Sequence, residues 1–203
     1  MGVPAALAVL LAVQGARWND PRVPMPNPWK DPGYLRLTWI QSPNFGKRPV
    51  DGPIDTIVVH STVTPTLEKT TEVFQRGEPA NPNPVSAHYT IGRDGSIVQN
   101  VSTFARAWHA GGGVDAAGRT NPNNYTIGIE LVNLNDGKDP YPAAQIQALR
   151  GIIYSMCKRF PIKQIVSHEY IAQPPGRKND PKAFPWDRLK DFGLPIYTGE
   201  HKV

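Results

Sequence analysis

His60, His168 and Asp180 have the side-chain chemistry of a metal centre. His60 closes the apolar run Ile54-Asp55-Thr56-Ile57-Val58-Val59-His60-Ser61, and His168 closes a second, Ile165-Val166-Ser167-His168-Glu169. Asp180 follows in Gly176-Arg177-Lys178-Asn179-Asp180-Pro181. Two imidazoles and one carboxylate are a ligand set of catalytic zinc sites, whose fourth position stays open for water. Each histidine stands where a strand ends and a loop begins, and a precise site needs that support. On spacing alone the long separations stay open to other readings. A histidine after an apolar run is often a hydrogen-bonded structural residue, and His88 and His109 are alternative ligands.

Two more charged residues bear on that chemistry. In a pleated strand alternate residues share a face. Within 125 to 131, Tyr125, Ile127, Ile129 and Leu131 fall on one face, and Thr126, Gly128 and Glu130 on the other. Glu130 is thus a carboxylate in an apolar strand, where it needs a partner or a wet cleft. Gly128 on its face leaves room for a ligand to approach the backbone. Lys178, two residues before Asp180, is a cation placed to stabilise negative charge developing at a metal. The plain alternatives are a strand-edge Glu paired with a surface Lys, and a solvated loop Lys. Tyr89, beside His88, carries a hydroxyl that could donate a proton.

The elements that must position these residues are readable in outline. A first strand covers about 54 to 60. A helix follows from Thr64, with Thr64 as cap, Pro65 in the first turn and Gly77 past the end. Strands at 86–92 and 96–101 flank Arg93-Asp94-Gly95, a hairpin signal. Residues 125–131 form another strand. Ile146, Leu149, Ile152, Ile153, Met156 and Phe160 recur at helical spacing, opened by Pro142 and closed by Lys158, Arg159 and Pro161. A last strand covers about 163 to 167. Mixed strands and helices of this kind predict a single α/β domain, with a central mixed sheet flanked by helices on both faces.

The ends are different in character. Residues 1–16 form an apolar stretch that closes on small residues and resembles a secretory signal, although no Lys or Arg precedes it. Residues 17–41 are a proline-rich arm, and prolines continue to Pro53. Proline fixes φ and removes donors, so regular structure is not expected there; Trp18, Trp29, Tyr34 and Trp39 are expected to pack on the domain. The catalytic domain is expected over 42–193 and a tail over 194–203.

The chain has 203 residues, 39% hydrophobic and 19% charged, with a net charge of +5. That fits one globular domain. The positive balance reads either as a solvated surface with a modest excess of Lys and Arg or as attraction to an anionic polymer such as nucleic acid, membrane or bacterial cell wall. No dense Lys/Arg tract with interleaved aromatics points to nucleic acid. The single cysteine, Cys157, falls in the helical pattern and reads as a buried structural thiol.

Seven motifs in order carry a family resemblance. They are Ile57-Val58-Val59-His60-Ser61-Thr62, Val85-Ser86-Ala87-His88-Tyr89, Arg93-Asp94-Gly95, Ala107-Trp108-His109-Ala110-Gly111, Ile127-Gly128-Ile129-Glu130, Ser167-His168-Glu169 and Gly176-Arg177-Lys178-Asn179-Asp180-Pro181. The set closely resembles the type 2 N-acetylmuramoyl-L-alanine amidases, whose fold animal peptidoglycan recognition proteins share. Ser42-Pro43-Asn44-Phe45-Gly46-Lys47-Arg48-Pro49 looks like the entry segment of such domains. The resemblance implies one zinc per chain held by His60, His168 and Asp180, a catalytic carboxylate at Glu130 and a transition-state cation at Lys178. It implies a substrate cleft lined by Tyr89 and His109, with Ser61, His88 and Arg177 as further contacts. The implied reaction is hydrolysis of the amide between N-acetylmuramic acid and L-alanine in peptidoglycan or a muropeptide. A non-catalytic recognition module is the alternative. The mature chain is expected as a monomer without membrane insertion, exported to the periplasm, wall or medium; the alternative is a cytoplasmic or phage enzyme.

Cleavage of the apolar leader predicts a native protein that begins near Arg17. N-terminal sequencing of the native protein checks this, and an intact Met1 in a cytosolic fraction is the opposing result.

Overall fold

The computed structural model describes residues 37–49 and 52–199. The apolar leader and Trp18, Trp29 and Tyr34 lie outside the described residues. The elements in chain order are β1 (Leu37–Trp39), β2 (Phe45–Lys47), β3 (Thr56–Ser61), α1 (Leu67–Gln75), β4 (Tyr89–Ile91), β5 (Ile97–Gln99), β6 (Ala105–Ala107), β7 (Thr126–Leu131), α2 (Ala143–Arg159), β8 (Gln164–Ser167), α3 (His168–Ile171) and β9 (Ile196–Tyr197). Single 3₁₀ segments cover Pro122–Asn124 and Trp186–Phe192.

One mixed sheet runs β1-β5-β4-β7-β3-β8-β9, and β2 pairs with β6 beside it. Within the large sheet only β4 and β5 are antiparallel, joined through Gly95 at φ 84°. Gly suits that positive φ because it has no Cβ. The sheet centre, β4-β7-β3-β8, is parallel. Parallel strands are covered on both faces, and here they are buried almost throughout.

The two faces differ in chemistry. Ile57 and Val59 of β3, Ile127, Ile129 and Leu131 of β7 and Ile165 of β8 pack against Ile146, Leu149, Ile153 and Met156 of α2. That is the main core, and the 3.6-residue period of α2 supplies its inner stripe. The opposite face carries Thr126, Gly128 and Glu130, in register with Thr56, Val58 and His60. A smaller apolar cluster, Val58, Ala110, Val166, Tyr170 and Ile171, seats α3 and the 105–125 loop region there. Among the described residues, no helix is long and apolar enough to cross a membrane.

Several boundaries differ from the sequence expectation. Helix α1 starts two residues later, because Thr66 accepts a hydrogen bond from the Lys69 N–H at 3.2 Å and so caps it. The Thr64 hydroxyl instead meets Thr70 Oγ1 at 2.6 Å. The proline-rich segment does contain regular structure: β1 lies parallel to β5 and β2 antiparallel to β6. Distant strands supply the pairing that local sequence does not. Trp39 lies in β1, but the residue is 51% exposed. Strands β1 and β9 also carry the sheet beyond the 42–193 bounds expected for the domain.

Leu149 is fully buried at the centre of the α2 stripe. Leu149→Ala should cost about 2–5 kcal/mol of unfolding free energy through lost burial and a residual cavity. Ile152, only partly buried on the same helix, should cost less when truncated. Urea titrations of the two variants compare them directly.

Candidate metal centre

Register sets the first two residues of the site. In the β3–β7 pairing His60 stands opposite Glu130, and in the β3–β8 pairing Val59 stands opposite Ser167. His168 is the next residue, at the start of α3, where the Ser167 hydroxyl caps the turn by accepting from the Tyr170 N–H at 2.9 Å. His60 and His168 thereby lie at the carboxyl ends of adjacent parallel strands, with ring centroids 4.3 Å apart.

Asp180 reaches the pair from a loop. His168 Nδ1 lies 3.0 Å from Asp180 Oδ1, and His60 Nδ1 lies 3.5 Å from Asp180 Oδ2. All three residues are buried, and one ligand atom from each falls within 4.8 Å of the others. The loop is held on both sides of Asp180. The Glu169 N–H donates to the Asp180 carbonyl at 2.9 Å, and the Ser61 N–H to Asp180 Oδ2 at 3.3 Å. Asn135 accepts from the Lys182 N–H at 2.7 Å and donates to Asn179 Oδ1 at 2.9 Å. Tyr141 shares a 2.7 Å hydrogen bond with Ser61 Oγ and donates to the Lys182 carbonyl at 3.2 Å.

This donor set suits a divalent cation. Zinc bonds of ~2.0–2.2 Å to N and O in a tetrahedron imply donor separations of roughly 3.3–3.6 Å, and the two imidazole–carboxylate distances are close to that range. Burial pushes His168 down to about 4, so its imidazole is neutral at pH 7. Burial alone would raise Asp180, but the adjoining His168 and His60 imidazoles outweigh it and hold the carboxyl well below its usual range. A buried carboxylate facing two imidazoles is a donor set that a cation would complete. His88 and His109 stand outside the cluster.

Glu130 lies beside it, half-buried, with Oε2 buried and without a hydrogen-bond partner. Burial raises its carboxyl to about 7; His60 and Lys178 pull it down and Asp180 pushes it up. Lys178 is exposed on the Asp180 loop, and its charge acts on both Glu130 and His168.

The other candidates divide. His109 joins the site: its Nδ1 is 3.0 Å from His60 Nε2. Gly128 is what admits that ring, since a Cβ there would lie 2.5–2.7 Å from it. The room left by Gly128 is filled by a side chain of the protein itself, a correction to the expectation of a ligand approaching the backbone. Tyr89 is not at the cleft. It points into the main core with Ile91, where burial raises its hydroxyl to about 12. In register with Ile129, it shares that residue's face. His88 is fully buried, and both ring nitrogens are engaged: Nδ1 accepts from the Gly128 N–H at 2.9 Å, and Nε2 meets Arg48 Nη2 at 2.9 Å and the Ala105 carbonyl at 3.2 Å. Ser61 is buried and serves Asp180 and Tyr141. Arg177 is exposed and donates to the carbonyls of Gln173 at 2.6 Å and Gly112 at 3.1 Å, tying two loops together.

Sequence reasoning missed the supports. Arg48 is the largest, donating to the carbonyls of Thr103, Asn123, Asn124 and Thr126 at 2.7–3.3 Å. Burial, then Arg106, lowers its guanidinium to about 10, which still leaves it charged at pH 7. Asn123 Oδ1 accepts from the His109 N–H at 3.1 Å and the Ala110 N–H at 2.8 Å. The available signal was that four of the five histidines fall in apolar strands or beside glycines; their rings form one chain, with His60–His109 centroids 5.1 Å apart and His109–His88 5.6 Å.

Comparison with known proteins matches residues 50–183 to a family described as N-acetylmuramoyl-L-alanine amidase. The chain is 34% identical over 184 residues to the 1,6-anhydro-N-acetylmuramyl-L-alanine amidase AmpD of Citrobacter freundii, covering 81% of this chain and 95% of that one. Among solved structures, a complex of the N-acetylmuramyl-L-alanine amidase AmiD from E. coli with anhydro-N-acetylmuramic acid-L-Ala-D-gamma-Glu-L-Lys superposes with TM-score 0.61 at 29% identity, over 73% of this chain and 61% of that one. Drosophila peptidoglycan recognition protein PGRP-SA shares the fold at TM-score 0.56 and 16% identity, over 82% of this chain and 97% of that one.

Asn123→Ala should leave two backbone donors of the His109 segment without their acceptor, at a cost of about 1–3 kcal/mol. Asn123→Asp keeps an acceptor and should lose less. Thermal unfolding of both variants measures the difference.

Proposed function

The chain belongs to the N-acetylmuramoyl-L-alanine amidase family, and we propose that it is a zinc hydrolase that cuts the amide between the lactyl group of N-acetylmuramic acid and L-alanine in soluble anhydro-muropeptides. The observation that carries the zinc reading is the buried cluster of His60, His168 and Asp180, with ligand atoms within 4.8 Å of one another. The fragment reading rests on likeness to AmpD, named for a 1,6-anhydro substrate, and to AmiD bound to an anhydro-muramyl peptide.

A zinc ion held by His60, His168 and Asp180 supplies Lewis-acid polarisation of the scissile carbonyl and acidifies water to a pKa of ~7. Glu130 is the general base. Its buried Oε2 has no hydrogen-bond partner, so it can take a proton from the attacking water and pass one to the leaving alanine nitrogen. Burial that lifts its carboxyl to about 7 brings donor and acceptor forms near balance at neutral pH. Lys178, whose charge reaches Glu130, would stabilise the negative charge that develops on the carbonyl oxygen. His109 orients His60 from behind. The intact ligand set beside an unengaged carboxylate favours hydrolysis over recognition alone.

Export remains part of this reading, on the evidence of the apolar leader of residues 1–16.

Digestion of anhydro-muropeptides should free L-alanine amino termini without new reducing sugar ends, and a chelator should stop it. Mass spectrometry of the products reads both. Reducing ends without free alanine would end the amidase reading. The His60→Ala/His168→Ala double variant should bind no stoichiometric zinc by metal analysis.

Glu130→Gln should keep fold and zinc but lose on the order of 10²–10⁴-fold in turnover, the usual share of a general base. Gln conserves size but accepts no proton from water at neutral pH. Near wild-type turnover would remove Glu130 from the mechanism.

A further inference from the structure

We propose that Thr126 and His109 form a directed hydrogen-bond relay that fixes which nitrogen of His60 offers its lone pair to the metal. The inference rests on the metal-centre reading above and concerns how this chain prepares one ligand for it.

The relay is read from its far end. Thr126 Oγ1 lies 2.7 Å from the Pro122 carbonyl oxygen, which can only accept. A hydroxyl has one proton and spends it there. Towards His109 Nε2, 3.0 Å away, Thr126 therefore accepts, so His109 carries its proton on Nε2. A neutral imidazole protonated on Nε2 has its lone pair on Nδ1. That lone pair faces His60 Nε2 at 3.0 Å, so His60 donates from Nε2. His60 Nδ1 is left bare, and it is the atom turned towards Asp180 Oδ2.

The opposite direction costs a bond. If His109 donated from Nδ1, the Thr126 hydroxyl would have to turn to Nε2, and the Pro122 carbonyl would lose its 2.7 Å hydroxyl donor and keep only the longer bond from the Tyr125 N–H at 3.2 Å. His60 would then hold its proton on Nδ1, blocking the atom that faces the carboxylate.

The surroundings keep the relay in place. Thr126 is fully buried in β7. Gly128, two residues on along the same face, leaves the space in which the His109 ring sits against the strand; a Cβ would lie 2.5 Å from it. Asn123 holds the His109 backbone N–H. The second imidazole ligand has no equivalent, since His168 Nε2 is buried without a hydrogen-bond partner. The two histidines are thus unequal: His60 is oriented from behind, His168 by its own helix turn and Asp180.

Thr126→Val in the full chain removes the hydroxyl at nearly constant volume, and Thr126→Ser restores it. Zinc affinity is read by competition with a chromophoric chelator, and packing by thermal unfolding of the zinc-free forms. Loss of the relay should weaken zinc binding by ~10–100-fold, the usual effect of removing a group that orients a ligand, and Ser should recover it. A merely structural Thr126 would lower the melting temperature with zinc affinity unmoved, and that result overturns the proposal. ¹⁵N NMR of wild-type histidines decides independently of any variant: protonation at His109 Nε2 supports the relay, and protonation at Nδ1 overturns it. A wild-type chain that takes up no zinc would overturn the metal-centre reading, while the His109 tautomer in that same chain still decides the relay.

Discussion

The parallel register of β3 against β7 and β8 is the constraint on which the rest depends. It sets His60 opposite Glu130 and ends β8 one residue before His168. A slip of one residue would turn Glu130 into the apolar core and Ile129 into the site, because side chains alternate faces. The core itself forbids that slip. Ile57, Val59, Ile127, Ile129 and Ile165 all pack on α2, and exposing them while burying a carboxylate would cost several kcal/mol. The chemistry is placed by hydrophobic burial on the opposite side of the sheet.

Placing polar groups on a buried face has a cost that hydrogen bonding must offset. An unpaired buried donor or acceptor costs about 1–3 kcal/mol, and this face carries Thr56, His60, His88, Thr90, Thr126 and Asn100, all buried. Nearly every one is answered. Asn100 donates to Thr90 at 2.8 Å, Gln164 to Thr56 at 3.0 Å, and Arg48 to the carbonyls beneath His88 and His109. Asn100 Oδ1 is left without a hydrogen-bond partner away from the site, and at the site Glu130 Oε2 and His168 Nε2 are buried without one. Glu130 Oε2 lies beside the candidate metal position, where a reacting water would recover the cost.

What was legible in the sequence follows from what is local. The period of two in 125–131 assigned both faces of β7 correctly, and the helical period of 143–159 gave the core stripe of α2. Strand ends marked His60 and His168 because apolar runs stop where the backbone leaves the sheet. Tyr89 was misplaced although the same parity applied to it: it alternates with His88 and lies with Ile91 on the core face. Adjacency in a motif outweighed the pleat. Strands β1, β2 and β9 were invisible because two or three residues carry no period, and their partners lie far along the chain. Arg48 was invisible for a related reason. Its role is to cap carbonyls from the segment 103–126, and no spacing rule connects those positions.

Gly128 shows how the two levels meet. In the sequence it is a weak point in a strand, lacking a side chain to pack. In the structure its vacant position is where the His109 ring lies. The glycine, Thr126 two residues earlier and Glu130 two residues later share one face of one strand, and they meet respectively the ring, the far end and the acid–base side of the same site. A single strand with a period of two therefore carries, in successive positions, the room for His109, the hydroxyl behind it and the carboxylate proposed for proton transfer. Moving any one of them to a loop would replace a position set by the register of the sheet with one set by a mobile backbone, and orientation to within a fraction of an ångström is what such a site requires.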